Sequence, residues 1–262
     1  MSLLRDGRLP LRVEWGGAGQ APAVEARVKT IGLLGGMSWE STVSYYQIIN
    51  RTVAERLGGL HSARLVLYSV DFDEVERLQT GDRWAEAGSL LADAALALER
   101  AGADFLALCT NTMHRVAPDI EARTQIPLLH IADPTARAIQ ASGLSTVGLL
   151  GTRFTMEQEF YRGRLESRFG LTVRVPDVAS RELVHRVIYS ELCRGVVSET
   201  SRAAFQRVVG ELADTGAEAV ILGCTEIGLL LRAGDVSVPL FDTAVLHAEA
   251  AALFALDQGA GT

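Results

Sequence analysis

The stretch TIGLLGG, residues 30–36, returns as VGLLGT at residues 147–152. An apolar run this short, closed by glycine, reads as a strand buried on both faces of a parallel sheet. The first copy leads into SWESTVSYYQIINRTVAERLGG, a helix with Ser38 at its N-cap, Glu40 and Ser41 in its first turn and Gly58-Gly59 at its end. Working outward, ARLVLYSVDF reads as a second strand and WAEAGSLLADAALALERAG as a second helix, stopped by Gly102. DFLALCT and IPLLHIAD are a third and a fourth strand. The second copy is followed by the same order: LADTGAEAVILGCTE repeats LERAGADFLALCTNT, and VPLFDTAV repeats IPLLHIAD. Ile31 and Thr110 are 79 residues apart, and Val147 and Cys224 are 77 apart. Ordered matches at nearly equal spacing imply two homologous halves.

The fold class that follows is α/β: two pseudo-symmetric halves, each a parallel sheet flanked by helices, with an active site in the cleft between them. Residues 1–27 read as a loose N-terminal extension. Residues 28–132 plus 238–262 form the first half and residues 133–237 the second. The segment AVLHAEAAALFAL has helical periodicity and returns to pack on the first half.

Bulk properties narrow the function. A net charge of −7 argues against a nucleic-acid or anionic-membrane surface. No run approaches the roughly 20 apolar residues of a membrane span, and the N-terminus lacks the apolar core of a secretory signal. Three cysteines, Cys109, Cys193 and Cys224, make no disulfide framework, so a reduced, cytoplasmic setting is expected. The histidines show no zinc-ligand spacing, and no metal is expected. Lys29 is the only lysine and precedes the first strand, which leaves no lysine for a pyridoxal-phosphate Schiff base or a P-loop. No cofactor is expected.

Ligands of open parallel sheets bind beyond the carboxyl ends of the strands. Thr110, Asn111 and Thr112 stand there in the first half, and Cys224, Thr225 and Glu226 in the second. Cys109 invites pairing with Cys224 and is the alternative partner to Thr110, but register favours Thr110. Cys224 lies eight residues after Gly216, and the residue eight after Gly102 is Thr110. One step along a strand turns a side chain to the other face, so Cys109 should point into the layer behind the sheet. Cys193 also reads as structural. Asn111, Thr112 and Thr225 are expected to bind a carboxylate, and Met37, just past Gly35-Gly36, to line the pocket. Glu226 either holds an ammonium group or solvates a helix start. His114, one turn after Thr110, either orients the hydroxyl or packs.

Taken together, GLLGGMSWEST, TNTMH, GTRFTM and GCTEI resemble the aspartate/glutamate racemases, over about residues 28 to 255. The resemblance is nearest to the bacterial branch of broad-specificity amino-acid and L-aspartate/glutamate racemases. It implies a cofactor-independent racemase of acidic amino acids, a small-molecule substrate and a homodimer. Members use two thiols on opposite faces of Cα. Here the motif that usually reads Cys-Asn-Thr begins with Thr110, while Gly-Cys-Thr-Glu is intact at 223–226. The implied catalytic pair is therefore an asymmetric Thr110/Cys224. Where aspartate racemases carry Asp-Arg-Thr, this chain has Leu78-Gln79-Thr80, so Gln79 takes the substrate-binding position. A second basic position falls at Cys193 beside Arg194. Other activities of the superfamily, such as maleate isomerisation, hydantoin racemisation or malonate decarboxylation, and a non-catalytic amino-acid receptor are the competing readings.

Overall fold

The computed structural model describes residues 28–257, and the expected loose extension lies outside them. In chain order the first part contains β1 (Ile31–Gly35), α1 (Trp39–Leu57), β2 (Leu65–Ser69), α2 (Phe72–Thr80), α3 (Trp84–Arg100), β3 (Phe105–Leu108), α4 (Ala117–Arg123), β4 (Leu128–Leu129) and α5 (Ala132–Ala141). The second contains β5 (Thr146–Gly151), α6 (Arg153–Glu157), α7 (Glu159–Phe169), β6 (Thr172–Arg174), α8 (Val178–Ser190), α9 (Glu199–Asp214), β7 (Ala219–Gly223), α10 (Ile227–Leu230), β8 (Leu240–Asp242) and α11 (Thr243–Leu256). Two four-stranded parallel sheets result, ordered β2-β1-β3-β4 and β6-β5-β7-β8. The strand order is the same in both, so the repeat seen in the sequence is a repeat of topology.

Two expectations are corrected. The second strand stops at Ser69 rather than running through Phe72. The Asp71 carboxylate accepts from the Asp73 N–H at 3.1 Å and opens α2, which makes Phe72 a helical residue. The boundary at 238 also moves. Strand β8 pairs with β7, with Leu222 opposite Asp242, so the chain leaves the second sheet only at Thr243. Helix α11 then crosses to the first half and packs on α1, as its periodicity suggests.

That crossing is possible because α11 presents small residues. Ala244, Ala248, Ala251 and Ala252 are buried with Ile31, Leu33, Phe105, Tyr45 and Ile49 on one face of the first sheet. The other face packs Leu34, Leu106 and Leu108 against Leu91 and Leu98 of α3. Each such buried aliphatic side chain contributes about 1.5–3 kcal/mol. Strands covered on both faces cannot slip, and this fixes which residues emerge at their carboxyl ends.

Candidate active site

The β1–α1 turn shows how the sequence builds the cleft. Gly36 has φ +94, and a Cβ there would come within 2.3 Å of the Val70 carbonyl oxygen. Only glycine fits. Its N–H donates to Thr42 Oγ1 at 2.9 Å, which ties the turn to α1. Ser38 occupies the N-cap as expected, but its hydroxyl makes no capping bond. It donates instead to Glu226 Oε1, 2.7 Å away in the other half.

The ladders confirm the register. One step past Leu34↔Leu108 is Cys109, and one step past Leu150↔Leu222 is Gly223. Thr110 and Cys224 are thus equivalent positions. Cys109 is fully buried in the layer behind the sheet, and burial pushes its thiol well above the ordinary range. Met37, Gln79, Thr110, Asn111, Thr112, Cys224, Thr225 and Glu226 all line one small cavity.

Sequence reading missed other walls of this cavity. Phe72 and Tyr189 stack at 6.4 Å between ring centroids, and the Tyr189 hydroxyl donates to Gln79 Oε1 at 2.8 Å. Thr152, the counterpart of Gly36, lines the cavity and caps α6. Its hydroxyl lies 2.9 Å from that of Thr112 across the two halves. Cys193, read as structural, also lines the cavity. It sits on a 3-10 turn (Leu192–Arg194), where no periodicity announces which way a side chain faces.

Glu226 organises the thiol. Its Oε2 accepts from Cys224 Sγ at 2.9 Å and from Thr225 Oγ1 at 2.8 Å. Burial, then the Glu226 carboxylate, then Cys193 raise the Cys224 thiol well above its ordinary value. Cys224 is therefore a protonated thiol hydrogen-bonded to the buried Glu226 side chain.

Asn111 is revised. Thr243 Oγ1 donates to the Leu222 carbonyl at 2.8 Å, so it can only accept from Asn111 Nδ2, 2.9 Å away. That fixes the amide, and its buried Oδ1 has no protein partner. An unpartnered acceptor suits an ammonium group rather than a carboxylate.

His114 does not orient the Thr110 hydroxyl. Its Nδ1–H donates to the Thr110 carbonyl at 2.7 Å, and its Nε2 accepts from the Ile131 N–H at 3.2 Å. Burial, then His130 and His247, hold it neutral by lowering its pKa well below the usual value. It braces the backbone of the Thr110 turn.

Lys29 is remote from the cavity. It donates to the carbonyls of Phe254 and Asp257 at 3.2 and 2.9 Å. No group of three or more metal-binding side chains is present among the described residues.

Two like-ordered parallel sheets closing on a small polar cavity, with a thiol and a hydroxyl at equivalent strand ends, define an isomerase of the two-lobed racemase class. Residues 34–251 match the family described as Asp/Glu/hydantoin racemase, and the chain belongs to it. A candidate Asp/Glu racemase of Yersinia pestis is 56% identical with a TM-score of 0.81, covering 87% of this chain and 100% of that one. An aspartate racemase homologue from Pyrococcus horikoshii OT3 is 36% identical with a TM-score of 0.75, over the same shares of the two chains. The broad-specificity amino-acid racemase RacX of Bacillus subtilis (strain 168) is 22% identical over 240 residues, 84% of this chain and 95% of that protein. The chain is an isomerase of the racemase class.

Proposed function

We propose that the protein racemises α-amino acids without a cofactor by exchanging the Cα proton between Cys224 on one face and Thr110 on the other. The observation that carries this is positional. The two residues hold the same step of equivalent ladders and line the same cavity, so they approach a ligand from opposite lobes. The single lysine, tied to α11, supports a mechanism without pyridoxal phosphate. Aspartate and glutamate, the substrates that the resemblance implies, are the starting panel.

The substrate ammonium group bonds to Asn111 Oδ1, and its α-carboxylate to Thr112 and Thr225. Met37 and Gln79 close the cavity around it. Glu226 takes the proton of the Cys224 thiol. This moves a negative charge from oxygen to sulfur without creating a second one, and the substrate ammonium group bound beside the thiol is the cation that favours the thiolate. The thiolate removes the Cα proton, and the Thr110 hydroxyl delivers one to the other face. The cycle closes when the proton held by Glu226 replaces the one Thr110 gave up. Threonine is the weaker base of the two.

A cytoplasmic homodimer completes the reading. The cysteines are free thiols. Trp39, Val43 and Tyr46 are exposed along one stripe of α1, a face suited to a second copy about a two-fold axis. Sedimentation of the purified chain should give twice the chain mass. Neither nucleic acid nor membrane is expected as a partner, and no helix of the described residues is long and apolar enough to cross a membrane.

The test is α-proton exchange in D₂O from each enantiomer of a panel of amino acids. Exchange with none of them, by protein that binds them, would leave the receptor reading.

A further inference from the structure

We infer that the site prefers an uncharged amino-acid side chain to an acidic one, an inference that rests on the racemase reading above. Among the residues lining the cavity there is no arginine, lysine or histidine. The one charged lining group is Glu226, itself an acid, and its oxygens are engaged by Ser38, Cys224 and Thr225. Apart from Gln79 on α2, the polar residues cluster at the strand ends, where the α-carboxylate and ammonium groups bind. The remaining wall is Met37, Phe72, Gln79, Ile188, Tyr189 and Cys193, neutral throughout, with the Gln79 amide engaged by Tyr189 and Met113. A side-chain carboxylate on that wall gives up its water for no cation and shares the cavity with Glu226. Burying an unpaired charge costs far more than burying an amide or a thioether.

Cations lie on the wrong side of a barrier. Arg186 and Arg194 line an outer groove that also contains His185, Glu76 and Thr80. Tyr189 is the residue shared by groove and cavity. Its ring is stacked on Phe72 and its hydroxyl is held by Gln79, so it stands between the two. A side chain seated on that wall meets the Tyr189–Phe72 partition before it reaches the groove. Such a wall suits a short neutral chain such as that of glutamine, asparagine or methionine.

The experiment compares isosteres. Initial α-proton exchange in D₂O gives kcat/KM for L-glutamine against L-glutamate and L-asparagine against L-aspartate, with L-methionine as an apolar probe. Calorimetric binding of the same compounds to the wild-type enzyme gives a ranking that needs no turnover. The neutral member should lead each pair by about tenfold or more in both measurements. Cys193→Lys places a cation on the wall at a half-buried position and should swing the ratio toward the acid. Arg194→Ala should leave it unchanged. An acid that leads in the wild-type enzyme, or an acid preference that Arg194→Ala abolishes, would overturn the inference. Absent exchange with every compound would count against the racemase reading alone, because the binding ranking still decides the side-chain question.

Discussion

At the scale of single residues, the placement of Thr110 and Cys224 at the cleft was legible because strand register is arithmetic. A fixed distance from a glycine sets which side chain reaches the cleft, and Gly102 and Gly216 both adopt positive φ, at +93° and +96°, at the matching turns. Pattern alone did not place Cys193 in the cavity, because a 3-10 turn after a helix has no alternation to read, and only the family resemblance pointed to that position. The orientation of Asn111 depended on Thr243, far away in sequence. Two outcomes follow from register. Cys224→Ala should lower exchange by ~10²–10⁴-fold, while Cys109→Ala, which alters only a packed layer, should keep most activity. Equal losses in the two variants, read by initial rates, would place the wrong residue in the cleft. The Thr110/Cys224 pair should also be lopsided. A catalyst cannot move the equilibrium of enantiomers, so kcat/KM for racemisation must be equal in the two directions. The asymmetry belongs to isotope exchange: one enantiomer, whose Cα proton faces Cys224, should exchange in D₂O well ahead of its inversion. Thr110→Cys should raise exchange of the other enantiomer selectively. Matched exchange rates in the wild-type enzyme would remove Thr110 from the chemistry.

At the scale of elements, the helix-start signal of Ser38 was read correctly and its use was not. Serine before an amphipathic run marks an N-cap, and α1 does begin at Trp39. What sequence alone does not carry is that the hydroxyl crosses to Glu226 in the opposite half. Helix α2 was missed for a related reason. The run VLYSV is strand-like in composition and overrode the cap signal of Asp71 with Asp73 and Glu74 behind it. The cost of that error was Phe72, a wall of the cavity. The Ser38 arrangement makes a separable prediction. Substituting a working N-cap by alanine costs about 1 kcal/mol of stability. In Ser38→Ala no capping bond is lost, so any loss of stability comes from the bond to Glu226. That buried, charge-assisted bond is worth about 1.5–3 kcal/mol, so the unfolding temperature should fall by more than a lost cap explains, and exchange activity should fall with it because Glu226 is no longer held against Cys224. A lowered unfolding temperature with intact activity would show that the bond serves the fold and not the site.

At the scale of the whole molecule, the repeat was legible because parallel strands and their glycine stops recur in order. The assignment of β8 was not. A three-residue strand next to the crossing helix gives no sign of which sheet it joins, and only the pairing of Leu222 with Asp242 assigns it. Beyond β8 the chain returns as α11, and one histidine fixes that return. His247 Nε2 lies 2.8 Å from the Leu129 carbonyl, so it must be the protonated nitrogen, and Nδ1 accepts from the Tyr45 hydroxyl at 2.8 Å. Helix α11 is thereby tied to β4 and to α1 by a neutral imidazole. Burial lowers its pKa to about 4, against about 6.5 in an unfolded chain. His130, nearby, falls to about 2, again through burial first. A histidine with a depressed folded pKa binds more protons when unfolded. The stability it contributes is complete above pH ~6.5 and drains away as pH falls toward ~4. For His247 alone the loss amounts to about 3 kcal/mol across that window. Urea unfolding followed from pH 7.5 to pH 4.5 should show this decline, and His247→Gln, less stable at pH 7.5, should show a flatter one. His61→Gln, at an exposed position, is the control and should follow the wild-type slope. If His247→Gln and wild type decline in parallel, the imidazole at the crossing is protonated as readily in the folded protein as in the unfolded chain, and the latch between the halves does not depend on its being neutral.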